Sequence, residues 1–149
     1  MNKLFLLALV PAISFAQSSA NELVVVSNAT KGASTISLDL VSSGNAAAIH
    51  FELDVGVSDP SLVDLSNCLS SFKAGSKMVS CSLVGSKVIG MVASPDLKAI
   101  IAGRVNLGTV TVKAANAKLG QVMWESYDSV GNVVESKLTN AGSSESQKK

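Results

Sequence analysis

The sequence is poor in the residues from which most catalytic centres are built. It holds one histidine, His50, and two cysteines, Cys68 and Cys81. A single imidazole excludes a metal centre made of several histidines, and a Ser-His-Asp device would have only His50 to use. Aromatic residues are 4% of the 149 positions, too few for a ring-lined sugar cleft. Charged residues are 15%, and neither sign dominates: Lys plus Arg number 12, Asp plus Glu 11. Without clustered cations the chain has no footprint for nucleic acid, whose binding rests on displacing phosphate counterions. It also lacks the basic stripe that an anionic membrane attracts. No apolar run reaches the roughly 20 residues of a bilayer-spanning helix. At 47% hydrophobic residues the chain is too apolar, and too weakly charged, for disorder. Its length fits one domain.

What is present begins with an export signal. Met1-Asn2-Lys3 is followed by an apolar stretch from Leu4 to Ile13, then by Ser14-Phe15-Ala16. A charged start, an apolar core and a small-x-small exit predict a signal peptide over residues 1–16, cut after Ala16, with Ala20 as the second site. The expectation is an exported protein, periplasmic or extracellular, with no membrane anchor. Residues 17–140 form its domain, and residues 141–149 a polar, frayed tail. In an exported chain an even pair of cysteines favours a Cys68–Cys81 disulfide. Closing that loop stabilises the fold by roughly 3 kcal/mol in the chain-entropy model. Two sulfurs with no histidine nearby make a poor zinc site, so no cofactor or metal is expected.

Beyond the signal the pattern is short alternating runs broken by Gly, Ser, Asn and Pro, which reads as all-β. Leu23–Val26 is a first strand and Thr35–Val41 a second. Ile49, Phe51, Leu53 and Val55 alternate with His50, Glu52 and Asp54 in the clearest half-buried strand. Met78–Ala93 reads as a hairpin about Gly85-Ser86, where glycine accepts the positive φ of a two-residue turn. Val79, Cys81 and Leu83 share one face of its first arm; Ile89, Met91 and Ala93 share a face of the second. In Val105–Lys113 the apolar parity changes between Leu107 and Val110, which calls for a β-bulge near Gly108. Gln121–Tyr127 and Asn132–Leu138 pair across Asp128–Gly131. Ser94-Pro95-Asp96 has the cap, proline and acid of a helix start, predicting one short helix that ends near Gly103. About nine strands in this length imply two packed sheets, a jelly-roll or flattened β-sandwich with an aliphatic core.

The order of these segments resembles the cohesin domain. The residues that carry the likeness are Ile49–Val55 running into the corner Asp59-Pro60-Ser61-Leu62-Val63, then Lys87–Ala93, then Gly103–Lys113, and finally the hairpin Tyr127-Asp128-Ser129-Val130-Gly131-Asn132-Val133-Val134. The resemblance spans roughly Leu23 to Leu138. Gly56-Val57-Ser58 departs from it as an insertion, and the cysteine pair is not a usual family feature. The resemblance implies a nine-stranded jelly-roll without catalytic machinery. Cohesins bind dockerins, small calcium-loaded helical modules, on one flat sheet face, and they assemble polysaccharide-degrading complexes. It therefore implies a protein partner, dockerin-like or other, with a polysaccharide link.

His50, Glu52 and Asp54 point away from the core if Phe51 points inward, and they lie on a strand of the implied partner face. They are the candidate contact patch, set against an ordinary solvated strand face. Glu52 with Asp54, or Glu125 with Asp128, could mimic an inverting glycosidase pair, since residues two apart on a strand sit about 7 Å apart. That spacing is common in strands, and no aromatic cleft accompanies it. Trp124 and Tyr127, three apart, face opposite sides and make no sugar platform. Asp39, Asp54, Asp59, Asp64 and Asp128 do not reproduce a calcium loop and read as turn acids. Two other readings fit the same fold: a carbohydrate-binding module, and a structural subunit of a surface assembly joined by strand pairing.

Overall fold

A computed structural model describes residues 20–96 and 101–142. The expected signal peptide and most of the expected tail lie outside the described residues. In chain order the strands are β1 (Asn21–Thr30), β2 (Ala33–Ala46), β3 (Ala48–Asp54), β4 (Val63–Asp64), β5 (Met78–Val84), β6 (Lys87–Ala93), β7 (Ile101–Val112), β8 (Val122–Tyr127), β9 (Val133–Val134) and β10 (Ser136–Gly142). They form two five-stranded sheets, ordered β10-β1-β2-β7-β4 and β5-β6-β3-β8-β9. The architecture is a β-sandwich.

Period-two alternation builds the core. Leu23 and Val25 of β1, Ile36, Leu38 and Leu40 of β2, Ile49, Phe51 and Leu53 of β3, and Val88 and Val92 of β6 all point between the sheets and are at most 1% exposed. Each such side chain contributes about 1.5–3 kcal/mol of burial. Phe51 has room for its ring because Gly90 faces it. A Cβ on Gly90 would come within 2.1 Å of the Phe51 ring.

The bulge expected near Gly108 is present. Leu38 pairs with Gly108 and Asp39 with Asn106, so Leu107 is the extra residue. The bulge lets Leu107, Val110 and Val112 all be buried despite their conflicting parity. Gly108 has φ +106°, and the chain at Asn67 lies directly on it, so that a Cβ would meet the Asn67 carbonyl oxygen at 1.9 Å. This contact seats Cys68, fully buried, against β7 through an isolated bridge to Gly108. Cys68 is bonded to Cys81 of β5, with Cα atoms 6.3 Å apart. The disulfide thus ties the margin of one sheet to the margin of the other.

Two expectations change. The helix predicted from Ser94 to Gly103 does not extend to its expected end. Pro95 and Asp96 form a turn, residues 97–100 lie outside the described residues, and Ile101–Gly103 are already strand. Pairing of Ser42 with Gly103 and of Ser43 with Ala102 draws that segment into the sheet. The closing pair is also shorter than expected. β9 pairs with β8 only at Val133 and Val134. After Glu135 the chain crosses to the other sheet, where β10 runs parallel to β1 over seven register positions. At that crossing Asn21 is fully buried yet satisfied. Its amide donates to Ser126 Oγ at 3.0 Å, and its Oδ1 accepts from Ser43 N at 3.1 Å. A polar bridge between the sheets marks where the chain changes layer.

Candidate functional site

The outer face of the β5-β6-β3-β8 sheet collects the candidate residues. Pairing places them in rows across the strands. Met78, Ala93, Ala48 and Tyr127 make one row; Ser80, Met91, His50 and Glu125 the next; Ser82, Ile89, Glu52 and Met123 the third; and Val84, Lys87 and Asp54 the last. His50, Glu52 and Asp54 therefore lie side by side along β3, each half-buried between its neighbours, as the strand's alternation demands.

The face has two halves. Over β5 and β6 it is apolar, with Met78 and Val84 each 58% exposed and Met91 47%. Over β3 and β8 it is acidic, with Glu52, Asp54 and Glu125 flanking Met123, which is 51% exposed. Lys87 Nζ donates to Glu52 Oε2 at 3.2 Å, and His50 Nε2 stands 4.0 Å from Glu52 Oε1. Asp54 closes the end of its strand: its Oδ1 accepts from Gly56 N at 3.0 Å and Ser86 Oγ at 3.1 Å. The Tyr127 hydroxyl donates to Glu125 Oε2. That bond, with some desolvation and the nearby negative charge, raises the phenol above its ordinary 10.0.

At the β8 side of the face lies an open depression of roughly 440 Å3, bordered by His50, Glu52, Met123, Trp124, Glu125 and Leu138. Trp124 turns inward, packs against the core and donates its indole N–H to the Lys137 carbonyl at 3.0 Å. Tyr127 points outward, so the two rings do face opposite sides. The carboxylates considered for glycosidic chemistry are engaged elsewhere: Glu52 with Lys87, Asp54 with its turn, Glu125 with Tyr127. Asp59, Asp64 and Asp128 each accept from backbone N–H groups within two to four residues and hold their own loops. The side-chain bonds of Ser61 to Asp59 and of Ser66 to Asp64, seconded by the backbone bonds of the same residues, and the backbone bonds of Asn132 and Val130 to Asp128, seconded by the Asn132 side chain, lower all three carboxyls below 3.8. Among the described residues no group of three or more His, Cys, Asp or Glu is placed to hold a metal ion.

The methionines are what the sequence reading missed on this face. Arithmetic on the hairpin would have found them. A two-residue turn at Gly85-Ser86 sets Leu83 opposite Val88 and Cys81 opposite Gly90. Ile89, Met91 and Ala93 then fall on the side opposite Cys81, away from the core.

No protein-family model and no curated protein sequence matches the chain. Solved structures do match. A type I cohesin–dockerin complex from Clostridium thermocellum has a chain that superposes with a TM-score of 0.57 at 14% identity, over 83% of this chain and 99% of that one. The third cohesin of ScaC from Acetivibrio cellulolyticus, solved in complex with a mutated ScaB dockerin, gives 0.56 at 16% identity, over 82% and 95%. A non-cellulosomal cohesin from the archaeon Archaeoglobus fulgidus gives 0.53 at 14% identity, over 86% and 94%. The fold is the cohesin-like jelly-roll.

Proposed function

We propose that the protein is an exported, non-catalytic binding module that docks a protein partner on the outer face of the β5-β6-β3-β8 sheet. The observation that carries this reading is the set of exposed Met78, Val84, Met91 and Met123 on one sheet face, beside a row of carboxylates. Methionine is flexible and polarizable, and it is favoured where a surface must fit another protein. The partner would bury apolar side chains over β5 and β6 and bring cations to Glu52 and Glu125. Several solved chains of this fold are held in complex with dockerins, so a dockerin-type module is the first partner to try. The disulfide suits an oxidising compartment and supports the export reading.

The test is capture from the organism's own secreted proteins on immobilised protein, with and without a calcium chelator. The triple variant H50A/E52A/D54A should keep its fold and bind at least about tenfold more weakly, equivalent to about 1.4 kcal/mol. M91K should abolish capture, whereas T109K on the opposite sheet should not affect it. Unchanged binding by both face variants would reject the site. Retention on cellulose, chitin or xylan instead would favour a carbohydrate-binding module.

A further inference from the structure

Sheet edges offer a second kind of surface. β4 and β9 are edge strands of two residues each, and the seven-residue edge β10 carries Lys137. β5 differs from all three. Its sequence Met-Val-Ser-Cys-Ser-Leu-Val has no charge, proline or glycine, and it pairs with β6 without a register break. Proteins ordinarily guard an edge of this length with one of those devices, because its free N–H and C=O groups are a template for another strand. The inward side chains of β5, Val79, Cys81 and Leu83, stay half-buried, whereas Val88 and Val92 of β6 are fully buried. That difference marks the open side.

The register determines which groups are free. Val55 N donates to Ser86 O at 2.9 Å. Hydrogen-bonded pairs in an antiparallel ladder recur every second residue. β6 therefore aims Val88, Gly90 and Val92 at β3, and Lys87, Ile89, Met91 and Ala93 at β5. β5 answers with Met78, Ser80, Ser82 and Val84, and it turns the backbone groups of Val79, Cys81 and Leu83 outward.

From this pattern we infer that β5 pairs with β5 of a second copy of the chain, antiparallel about a two-fold axis at Cys81. With full overlap, the outward groups of Val79, Cys81 and Leu83 meet their counterparts and close about six hydrogen bonds. Every side-chain pair is then like with like. Met78 meets Val84, both 58% exposed in the single chain; Val79 meets Leu83; Ser80 meets Ser82. Lys77 falls opposite Gly85, so no like charges oppose. Such an isologous contact is self-complementary and closes at two copies. It joins two sheets into one ten-stranded layer and sets two partner faces side by side. It uses the edge and leaves the docking face open, so it stands or falls apart from the proposed function.

Sedimentation equilibrium of the full exported chain, oxidised, over a range of concentrations tests it. The expected result is a monomer that becomes a dimer as concentration rises. S80K/S82K puts lysine opposite lysine at both crossings and should be monomeric throughout, with a circular dichroism spectrum and melting temperature unchanged from the wild type at dilutions where the wild type is monomeric. S80K/S82E puts lysine opposite glutamate at both crossings and should restore a dimer that weakens with salt. V79P removes an outward N–H that β6 does not use, and it should raise the dimer Kd at least tenfold. A wild type that stays monomeric at millimolar concentration overturns the inference. So does a dimer that survives S80K/S82K, or one that dissolves with M91K and not with lysines on the edge. Failure of S80K/S82E to recover association overturns the register.

Discussion

Tyr127 is the only tyrosine in the chain, which makes its ionisation directly readable. Because its hydroxyl donates to Glu125, the phenol holds its proton above 10.0. The folded value is raised, so its contribution to stability is complete below pH 10 and lost as pH rises through the folded value. Ultraviolet titration of the phenolate should therefore give a midpoint above 10, and E125Q should move it back toward 10. Gly90 allows a different kind of test. A methyl group there collides with a ring that is itself fully packed, so G90A should destabilise the protein by about 1–3 kcal/mol in denaturant unfolding. The need for glycine at this position was invisible in the sequence, because Phe51 and Gly90 are brought together only by strand pairing. The outward direction of His50, Glu52 and Asp54 was legible, because alternation within a single strand decides it. What each of them touches was not. Lys87 reaches Glu52 from the neighbouring strand, and Ser86 reaches Asp54 from the turn before it.

At the scale of the element, local signals succeeded where they stayed local. The two-residue turn at Gly85-Ser86 and the bulge beside Gly108 follow from glycine and parity alone, and both are present. The helix read from Ser94-Pro95-Asp96 was carried too far, because Ile101–Gly103 answer to Ala46, Ser43 and Ser42, more than fifty positions earlier. The disulfide belongs to this scale too. It links the segment seated on β7 to β5, across the open side of the sandwich. C68A/C81A should cost about 3 kcal/mol of unfolding free energy. Reductant should destabilise the wild type by a similar amount and leave the variant unaffected. An unfolding midpoint in the wild type that ignores reductant would show the bond to be thermodynamically idle. β5 should also lose more amide-exchange protection than β3 in the variant, since β3 is held by strands on both sides.

For the whole molecule, the sandwich could be read from the count and spacing of strands, and the aliphatic core from the scarcity of rings. The distribution of strands between sheets could not. Nothing in Val133–Leu138 announces that the chain leaves one layer at Glu135 and enters the other; burial of Asn21 against Ser126 accompanies the change. The outer face of the β5-β6-β3-β8 sheet, where docking is proposed, was half legible: its acidic strand could be read directly, and its methionines only through strand pairing.

The parallel union of β1 and β10 has a mechanical consequence. Asn21 lies beside Ser136 and Ser27 beside Gly142, so the two strands start at the same end. Tension that enters before β1 and leaves after β10 pulls them in opposite directions along their length. The bonds between them are then loaded together in shear rather than peeled singly. A module placed in line between two anchors would hold as a clamp, yielding only when the whole ladder slips at once.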